Sequence, residues 1–240
     1  MAEIWPLGDG AVTVVFGPAI EAATHERVLG FCAALEQAEL PGVIEWAPAF
    51  ASATIWHDPG KTDFATLRAA LAPLAQNAGR CKVEGAPYEI PFCCAEEFSP
   101  DLGETAALKG LTPEAYIEAF AAVTFEVYML GFQPGFAYLG GLPENLSAPR
   151  LTTPRKIVPA LSLAIADTMC AAYPFASPGG WRLIGRTPAP LFDARNAKKP
   201  AMLACGDKLR WRPVSRDDYQ TLEARRVAGD LGAAEFRLPA

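Results

Sequence analysis

The stretch from residue 131 to residue 193 reads GFQPGFAYLGGLPENLSAPRLTTPRKIVPALSLAIADTMCAAYPFASPGGWRLIGRTPAPLFD. No other part of the chain combines glycine, proline, aromatic and arginine residues so densely. At 131–136 and 177–181, glycines allow a positive φ or a close approach of the backbone to a ligand, and prolines fix the neighbouring turns. These loops are expected to hold a fixed shape, so the functional surface of the protein is expected here.

Several cations accompany these loops, namely Arg150, Arg155, Lys156, Arg182 and Arg186. Since the chain as a whole carries a net charge of −6, this local positive potential suits a carboxylate or a phosphate. The alternative is a β-barrel with ordinary tight turns and solvated arginines, because glycine and proline punctuate any all-β domain.

The composition is that of a globular protein, with 51% hydrophobic and 20% charged residues among 240. No apolar run reaches the roughly 18 residues that cross a bilayer, and the first residues lack the basic and apolar regions of a signal peptide. A cytoplasmic location is therefore expected. The acidic balance argues against nucleic acid and anionic membranes as partners.

The motifs of common catalytic and metal sites are missing from the sequence. The six cysteines show no zinc-site spacing and are expected to be reduced. No P-loop, H-E-x-x-H or G-x-S-x-G motif occurs, and both histidines, His25 and His57, lie far in sequence from the loops at 131–193. No metal is expected, and no catalytic residue is assigned.

The first hundred residues show a regular alternation of strand and helix patterns. Strands are predicted at 11–16, 43–47, 52–57 and 88–93, and helices at 19–38 and 63–76, with Thr62 as the cap of the second helix. The order βαββαβ is that of the ferredoxin-like unit, with both helices on one face of an antiparallel sheet.

The remainder divides into a connector, a barrel and a tail. Two short helices are predicted up to residue 123. From residue 124, short apolar runs with turn residues every eight to twelve positions are typical of a closed or nearly closed β-barrel. The predicted domains are 1–95 (small α/β), 96–123 (helical connector), 124–214 (barrel) and 215–240 (tail, with a helix at 217–227). The predicted fold class is α+β.

The central stretch closely resembles the signature of one family. The matching residues are GFQPGFxYLG at 131–140, Pro154 and Arg155, VPA at 158–160, YP at 173–174 and SPGGWxLIGxT at 177–187. This is the KipI-like family, also called allophanate hydrolase subunit 1 or carboxyltransferase subdomains C and D. Weaker similarity extends over most of the chain, from about residue 4 to residue 213.

The resemblance implies a small ferredoxin-like domain followed by a cyclophilin-like β-barrel. It also implies a subunit of an ATP-dependent amidohydrolase of the 5-oxoprolinase or allophanate hydrolase type, inactive alone, acting on 5-oxoproline or a related small amide. The implied partners are a second cyclophilin-like subunit (allophanate hydrolase subunit 2, PxpC-like) and a PxpA-like subunit. ATP is expected at the level of the complex, with no cofactor on this chain alone.

Two other functions within the family remain open. One is a non-enzymatic KipI-like inhibitor that binds a histidine kinase, and the other is a component of a biotin-dependent carboxyltransferase. For the amidohydrolase subunit, the substrate-facing groups would come from the matched motif. Cations and backbone N–H groups would hold a carboxylate or oxyanion, and hydroxyls would orient it. The predicted residues are Gln133, Arg155, Ser162, Ser177, Gly179, Gly180 and Arg186.

The sequence departs from the family pattern in one segment. Leu161 and Asp167 stand where the family has glycine, and Met169, Cys170 and Ala171 replace Gln, Thr and Gly. Phe120 stands where the family commonly has His. These changes make a polar and flexible edge apolar and stiffer, so the ligand contacts made there are expected to be lost or changed.

Overall fold

The computed structural model describes residues 2–18 and 21–239. The chain forms two compact units, Met1–Val83 and Glu84–Ala240, whereas the sequence placed the first domain boundary after residue 95. Within the described residues, the helices are all too short or too polar to cross a membrane.

The first unit has the element order ββαββα. Its elements are β1 (Glu3–Pro6), β2 (Ala11–Val15), α1 (Ala22–Ala38), β3 (Val43–Pro48), β4 (Ser52–His57) and α2 (Phe64–Gln76). The four strands form an antiparallel sheet in the order β1-β2-β4-β3. Alternate residues of the central strands, such as Val12, Val14 and Ile55, pack in one core with Phe31 of α1 and Leu71 of α2. Residues 19 and 20, where helix α1 was predicted to begin, lie outside the described residues.

The predicted βαββαβ order is corrected at both ends of this unit. Strand β1 was not predicted, because its residues are mostly exposed and show no apolar alternation. It pairs with β2 at the edge of the sheet. The strand predicted at 88–93 belongs to the second unit, where Tyr88, Ile90 and Phe92 are buried in the core.

The helices that begin at Phe64 and Pro113 have side-chain caps, and one of these caps is shifted from the predicted residue. The cap of α2 is Asp63 rather than Thr62, since the Asp63 carboxylate accepts a hydrogen bond from the Thr66 N–H at 2.8 Å. In the second unit, the Thr112 hydroxyl accepts from the Ala115 N–H at 3.2 Å, with Pro113 in the first turn.

The second unit contains a barrel-like sheet, a separate two-stranded ribbon and three helices. Its strands are β5 (Pro87–Phe92), β6 (Phe125–Leu130), β7 (Ala137–Gly140), β8 (Arg155–Val158), β9 (Ser162–Ala166), β10 (Met169–Ala172), β11 (Ser177–Gly179), β12 (Arg182–Arg186) and β13 (Lys208–Pro213). Its helices are α3 (Leu102–Ala107), α4 (Pro113–Ala121) and α5 (Arg216–Ala228). Strands β8 and β11 form the ribbon, and the other seven form one sheet in the order β12-β9-β10-β7-β6-β13-β5.

The seven-stranded sheet is nearly closed. Cys93, after β5, and Arg186, at the end of β12, exchange backbone hydrogen bonds of 2.8 and 2.9 Å across the seam between the two end strands. Gly185 makes this approach possible, because a Cβ there would lie 2.8 Å from the Phe92 ring and 2.9 Å from the Cys93 carbonyl oxygen. The barrel predicted from residue 124 therefore also includes β5, which pairs in parallel with β13.

The tail returns to the barrel after α5. The Ser215 hydroxyl caps the start of this helix by accepting from the Asp218 N–H, and Gly229 ends it with φ of 83°. Arg237 then bridges to Tyr88, and the Leu238 N–H donates to the Pro87 carbonyl at 2.8 Å. This last contact was not predicted from the sequence.

Candidate functional site

The ribbon of β8 and β11 gathers most of the predicted site residues. Arg155 is paired with Gly179 and Val158 with Ser177, with an irregularity between the two pairs. The next residue, Gly180, accepts a hydrogen bond from the Leu151 N–H at 2.8 Å through its carbonyl oxygen. Arg155, Ser177, Gly179 and Gly180 therefore lie in one small region because two short strands pair there.

Five aromatic side chains lie beside the ribbon, and we call them the aromatic cluster. They are Phe132, Phe136, Tyr138, Tyr173 and Trp181. The Phe136 ring is central, with its centroid 5.2 Å from Tyr173, 4.8 Å from Tyr138 and 5.9 Å from Trp181, each at an edge-to-face angle. Phe132 packs on Tyr173 at 6.2 Å and is 60% exposed. The cluster thus has a buried base and an open edge.

Gly179 fixes the contact between the ribbon and this cluster. A Cβ at residue 179 would lie 2.5 Å from the Tyr173 hydroxyl oxygen, so only glycine allows the strand to approach the ring this closely. Burial raises the pKa of Tyr173 to about 12, although nearby Arg150 opposes the shift. The Tyr173 hydroxyl therefore stays protonated at neutral pH.

Arg155 is held in place by Asp101, a residue that sequence reasoning did not assign to the site. One Arg155 terminal nitrogen donates to the Asp101 carboxylate at 2.6 Å, and the other Asp101 oxygen accepts from the Leu183 N–H at 2.6 Å. The Asp101 side chain is 8% exposed. Because its place depends on β12, far away in sequence, only the three-dimensional structure identifies this role.

Three buried polar atoms in this region have no hydrogen-bond partner. They are the Gln133 Oε1, the Arg155 Nη1 and the Ser177 Oγ. Gln133 follows Phe132, whose ring packs on Tyr173, so all three atoms belong to the surroundings of the ribbon and the aromatic cluster. A buried polar atom without a partner is costly and is normally satisfied by water or a ligand. These atoms supply an acceptor, a cationic donor and a hydroxyl.

Ser162 and Arg186 do not join this group. They are neighbours on β9 and β12, and Ser162 is only 1% exposed. The Arg186 guanidinium lies over the Phe98 ring at 4.6 Å and lines a different cavity, of about 900 Å³. Four of the seven predicted residues therefore lie at the ribbon, Gln133 is the neighbour in sequence of Phe132 in the aromatic cluster, and Ser162 and Arg186 lie elsewhere.

The segment that departs from the family pattern forms part of the barrel wall. Leu161 and Asp167 both have a positive φ, of 65° and 51°, so the replaced glycines occupied backbone positions that favour glycine. Met169, Cys170 and Ala171 are all buried. Leu161 is buried as well, whereas Asp167 is exposed. Four of the five changes therefore alter the packing of the barrel wall, and one alters its surface.

Two thiols of this unit, those of Cys170 and Cys205, are not activated nucleophiles. Burial raises the pKa of Cys170 well above its usual value and that of Cys205 to about 11. A thiol with a raised pKa is a poor nucleophile at neutral pH, and none of the six cysteines forms a disulfide.

Comparison with known proteins places this architecture in a family. The model of the carboxyltransferase domain, subdomain C and D, matches residues 2–203. The chain belongs to this family. The resemblance seen in the central stretch is thereby confirmed.

Two curated relatives are both named as the same subunit of 5-oxoprolinase. The one from Bacillus subtilis (strain 168) is 36% identical over 228 residues, which cover 90% of this chain and 95% of the relative. The one from Haemophilus influenzae is 36% identical over 209 residues, which cover 87% of this chain and 96% of the relative.

A solved structure supports the same fold. The crystal structure of TTHA0988 matches with a TM-score of 0.72 and 29% identity over 86% of this chain and 40% of that protein. This chain therefore spans about two fifths of the length of that structural relative.

Proposed function

We propose that this chain is a subunit of an ATP-dependent amidohydrolase of the 5-oxoprolinase type. It acts with a second cyclophilin-like subunit and a PxpA-like subunit on 5-oxoproline or a related small amide, and it is inactive alone. The nearly closed barrel is, in this proposal, the cyclophilin-like domain of the family. The relatives that are named as 5-oxoprolinase subunits support this assignment, since they match over about nine tenths of the chain.

The observation that carries the proposal is the set of three unpartnered polar atoms beside the aromatic cluster. A cyclic amide with a carboxylate would be matched by these groups. The Arg155 guanidinium suits the carboxylate, the Gln133 side-chain amide suits the substrate amide, and the Ser177 hydroxyl can orient either. The aromatic rings provide an apolar wall for a small ring.

The residues of the ribbon bind and orient the substrate, and the reacting groups come from the assembled complex. This division is consistent with the raised pKa values of Cys170 and Cys205, because neither thiol is a ready nucleophile. It also explains why the site has an open edge at Phe132, which is 60% exposed: a second subunit would cover it.

The test is reconstitution. The chain is co-purified with its second cyclophilin-like subunit, the PxpA-like subunit is added, and 5-oxoproline-dependent ATP hydrolysis is measured. We expect turnover only when all three subunits are present. A stable complex that hydrolyses ATP with another small amide but not with 5-oxoproline would show that the substrate is that amide and that the class of reaction is unchanged. Failure to form a complex, together with binding to the dimerisation domain of a histidine kinase, would overturn the proposal in favour of an inhibitor.

A further inference from the structure

The second unit contains a cavity of about 900 Å³ that is distinct from the ribbon and the aromatic cluster. It lies between the loop that follows β12 and the C-terminal segment that begins with α5. Its volume falls in the range of small-molecule sites. Leu161, Phe175 and Phe192 are among the residues that line it.

The lining is strongly cationic in a chain whose net charge is −6. Five cations, Arg186, Arg195, Lys199, Arg226 and Arg237, face two carboxylates, Asp193 and Glu223. The Asp193 carboxylate accepts hydrogen bonds of 2.9 and 3.0 Å from Arg195, and the Glu223 carboxylate lies 3.8 Å from the Arg226 guanidinium. Each carboxylate is thus paired with one of the five cations.

Three of these cations lack a compensating carboxylate. Among residues 2–18 and 21–239, no carboxylate oxygen lies within 4.0 Å of the charged nitrogens of Arg186, Lys199 or Arg237. Uncompensated cations around a concave surface focus a positive potential, which favours an anion with more than one charge.

Two of the arginines also have buried nitrogens that are unsatisfied. The Nε of Arg186 and the Nε of Arg226 are buried and have no hydrogen-bond partner. The Phe98 ring holds the Arg186 guanidinium in place at 4.6 Å. Because a buried donor without a partner is costly, this arrangement favours a ligand with acceptor oxygens.

Most of the other lining residues are apolar. Phe175 and Phe192 form an edge-to-face pair with centroids 5.8 Å apart, and Phe175 is 44% exposed. Leu161 adds an apolar side chain on a backbone with φ of 65°, a conformation that is costly for leucine. The cavity thus combines several cations with apolar side chains.

We propose that this cavity binds a small organic anion that carries at least two negative charges, as phosphate or carboxylate, on an apolar or planar body. The inference goes beyond the proposed function, since it concerns the isolated chain and needs neither partner subunit. The sequence suggested no cofactor on this chain alone, and of the charged residues of this cavity it assigned only Arg186 to a binding site.

The test is isothermal titration calorimetry on the full chain with four probes. ADP and isophthalate each combine two or more charges with a planar body, pyrophosphate has the charge alone, and adenosine has the body alone. We expect ADP or isophthalate to bind at least about tenfold more tightly than pyrophosphate or adenosine. The tighter of the two identifies the anion as phosphate or carboxylate.

Variants locate the binding. Lys199→Gln and Arg237→Gln should each weaken the tighter probe about fivefold to tenfold, and Phe175→Ala should weaken it as well. Lys198→Gln is the matched control, because Lys198 is the neighbouring exposed lysine but does not line the cavity, and it should leave affinity within about twofold.

Two results would overturn the inference. The first is that neither ADP nor isophthalate binds, or that pyrophosphate or adenosine binds as tightly as the tighter of these two. The second is an equal loss in the Lys198→Gln and Lys199→Gln variants, which would show a diffuse charge effect rather than a site. Because neither outcome depends on turnover by the complex, the inference fails or stands independently of the proposed function.

Discussion

Single residues decide the geometry of this protein where the backbone is under constraint. Leu161, Asp167 and Phe132 have positive φ values of 65°, 51° and 67°, in a region that non-glycine residues rarely occupy. Two of them replace glycines of the family pattern, and the third is the exposed edge of the aromatic cluster. A positive φ is costly for a residue other than glycine, so the backbone conformation at these positions lowers the stability of the chain.

That cost can be measured at Asp167. Asp167→Gly should raise the free energy of unfolding by about 0.5–1 kcal/mol, because glycine adopts a positive φ without strain and the Asp167 side chain is exposed. The measurement is urea unfolding of the purified chain. Thr168→Gly, at the neighbouring position where φ is not positive, is the control and should destabilise. A lower stability for Asp167→Gly would contradict the strain argument.

The two adjacent glycines of the ribbon make a second, matched comparison. Gly179→Ala places a Cβ 2.5 Å from the Tyr173 hydroxyl oxygen, whereas at Gly180 the nearest atom is Pro154 Cγ at 3.5 Å. Gly179→Ala should therefore cost about 1–3 kcal/mol and change the near-ultraviolet circular dichroism of the aromatic cluster. Gly180→Ala should be tolerated. Equal effects of the two substitutions would show that the close approach of Gly179 to Tyr173 is not required.

At the scale of elements, the position of the ribbon depends on the Asp101 carboxylate. It accepts from Arg155 on β8 and from the Leu183 N–H on β12, each at 2.6 Å. One buried side chain thus links the ribbon to the edge strand of the barrel. The ion pair matters for position as well as for stability, since its loss frees the Arg155 side chain.

Asp101→Asn should lower the free energy of unfolding by about 1.5–3 kcal/mol, because it removes the charge from two buried hydrogen bonds. Glu97→Gln is the control. Its carboxylate also pairs with an arginine, Arg216, at 2.8 Å, but the two side chains are 43% and 62% exposed, so its loss should cost less than about 1 kcal/mol. Urea unfolding measures both. Comparable losses would contradict a special role for Asp101.

The elements differ in how well they could be predicted from sequence. Helices α1, α2 and α4 and strands β2, β3 and β4 show local periodicity or caps, and all were predicted to within a few residues. The partner of β5 was not, because its parallel pairing with β13 joins Tyr88 to Leu209, and no local pattern encodes so distant a contact. Strand β1 was missed because its side chains are mostly exposed.

In the candidate site, too, local features could be predicted from the sequence and contacts between distant residues could not. The glycines and prolines at 131–136 and 177–181 pointed to the ribbon region, because conformational demands are visible in sequence. The role of Asp101 and the separation of Arg186 from Arg155 were not visible, since both depend on how β12 lies in the sheet. The cationic cavity likewise combines residues from Tyr88 to Arg237.

At the scale of the whole molecule, buried tyrosines make stability depend on alkaline pH. Burial raises the pKa of Tyr116, Tyr173 and Tyr219, that of Tyr173 to about 12. In the unfolded chain these tyrosines lose their protons near pH 10, which is below their pKa in the native state. As the pH rises, deprotonation therefore stabilises the unfolded state relative to the native state. The contribution of these tyrosines to the free energy of unfolding should therefore be constant below about pH 9 and fall between about pH 10 and pH 12.

The measurement is urea unfolding at a series of pH values, with phenolate absorbance followed in the native state. Tyr173→Phe should weaken the fall, because it removes one of the shifted groups. A native-state titration in which all six tyrosines ionise near pH 10 would contradict the burial of these hydroxyls.

The central claim is that the ribbon and the aromatic cluster bind the substrate of a 5-oxoprolinase-type complex. Its most direct test is the KM for 5-oxoproline of reconstituted complexes that carry Ser177→Ala, Arg155→Lys or the control Lys156→Ala, which changes an exposed residue on the same strand. We predict that the first two raise KM or lower kcat/KM about tenfold or more, while Lys156→Ala stays near the unmodified complex. Unchanged kinetics in Ser177→Ala and Arg155→Lys, in complexes that assemble normally, would contradict the account.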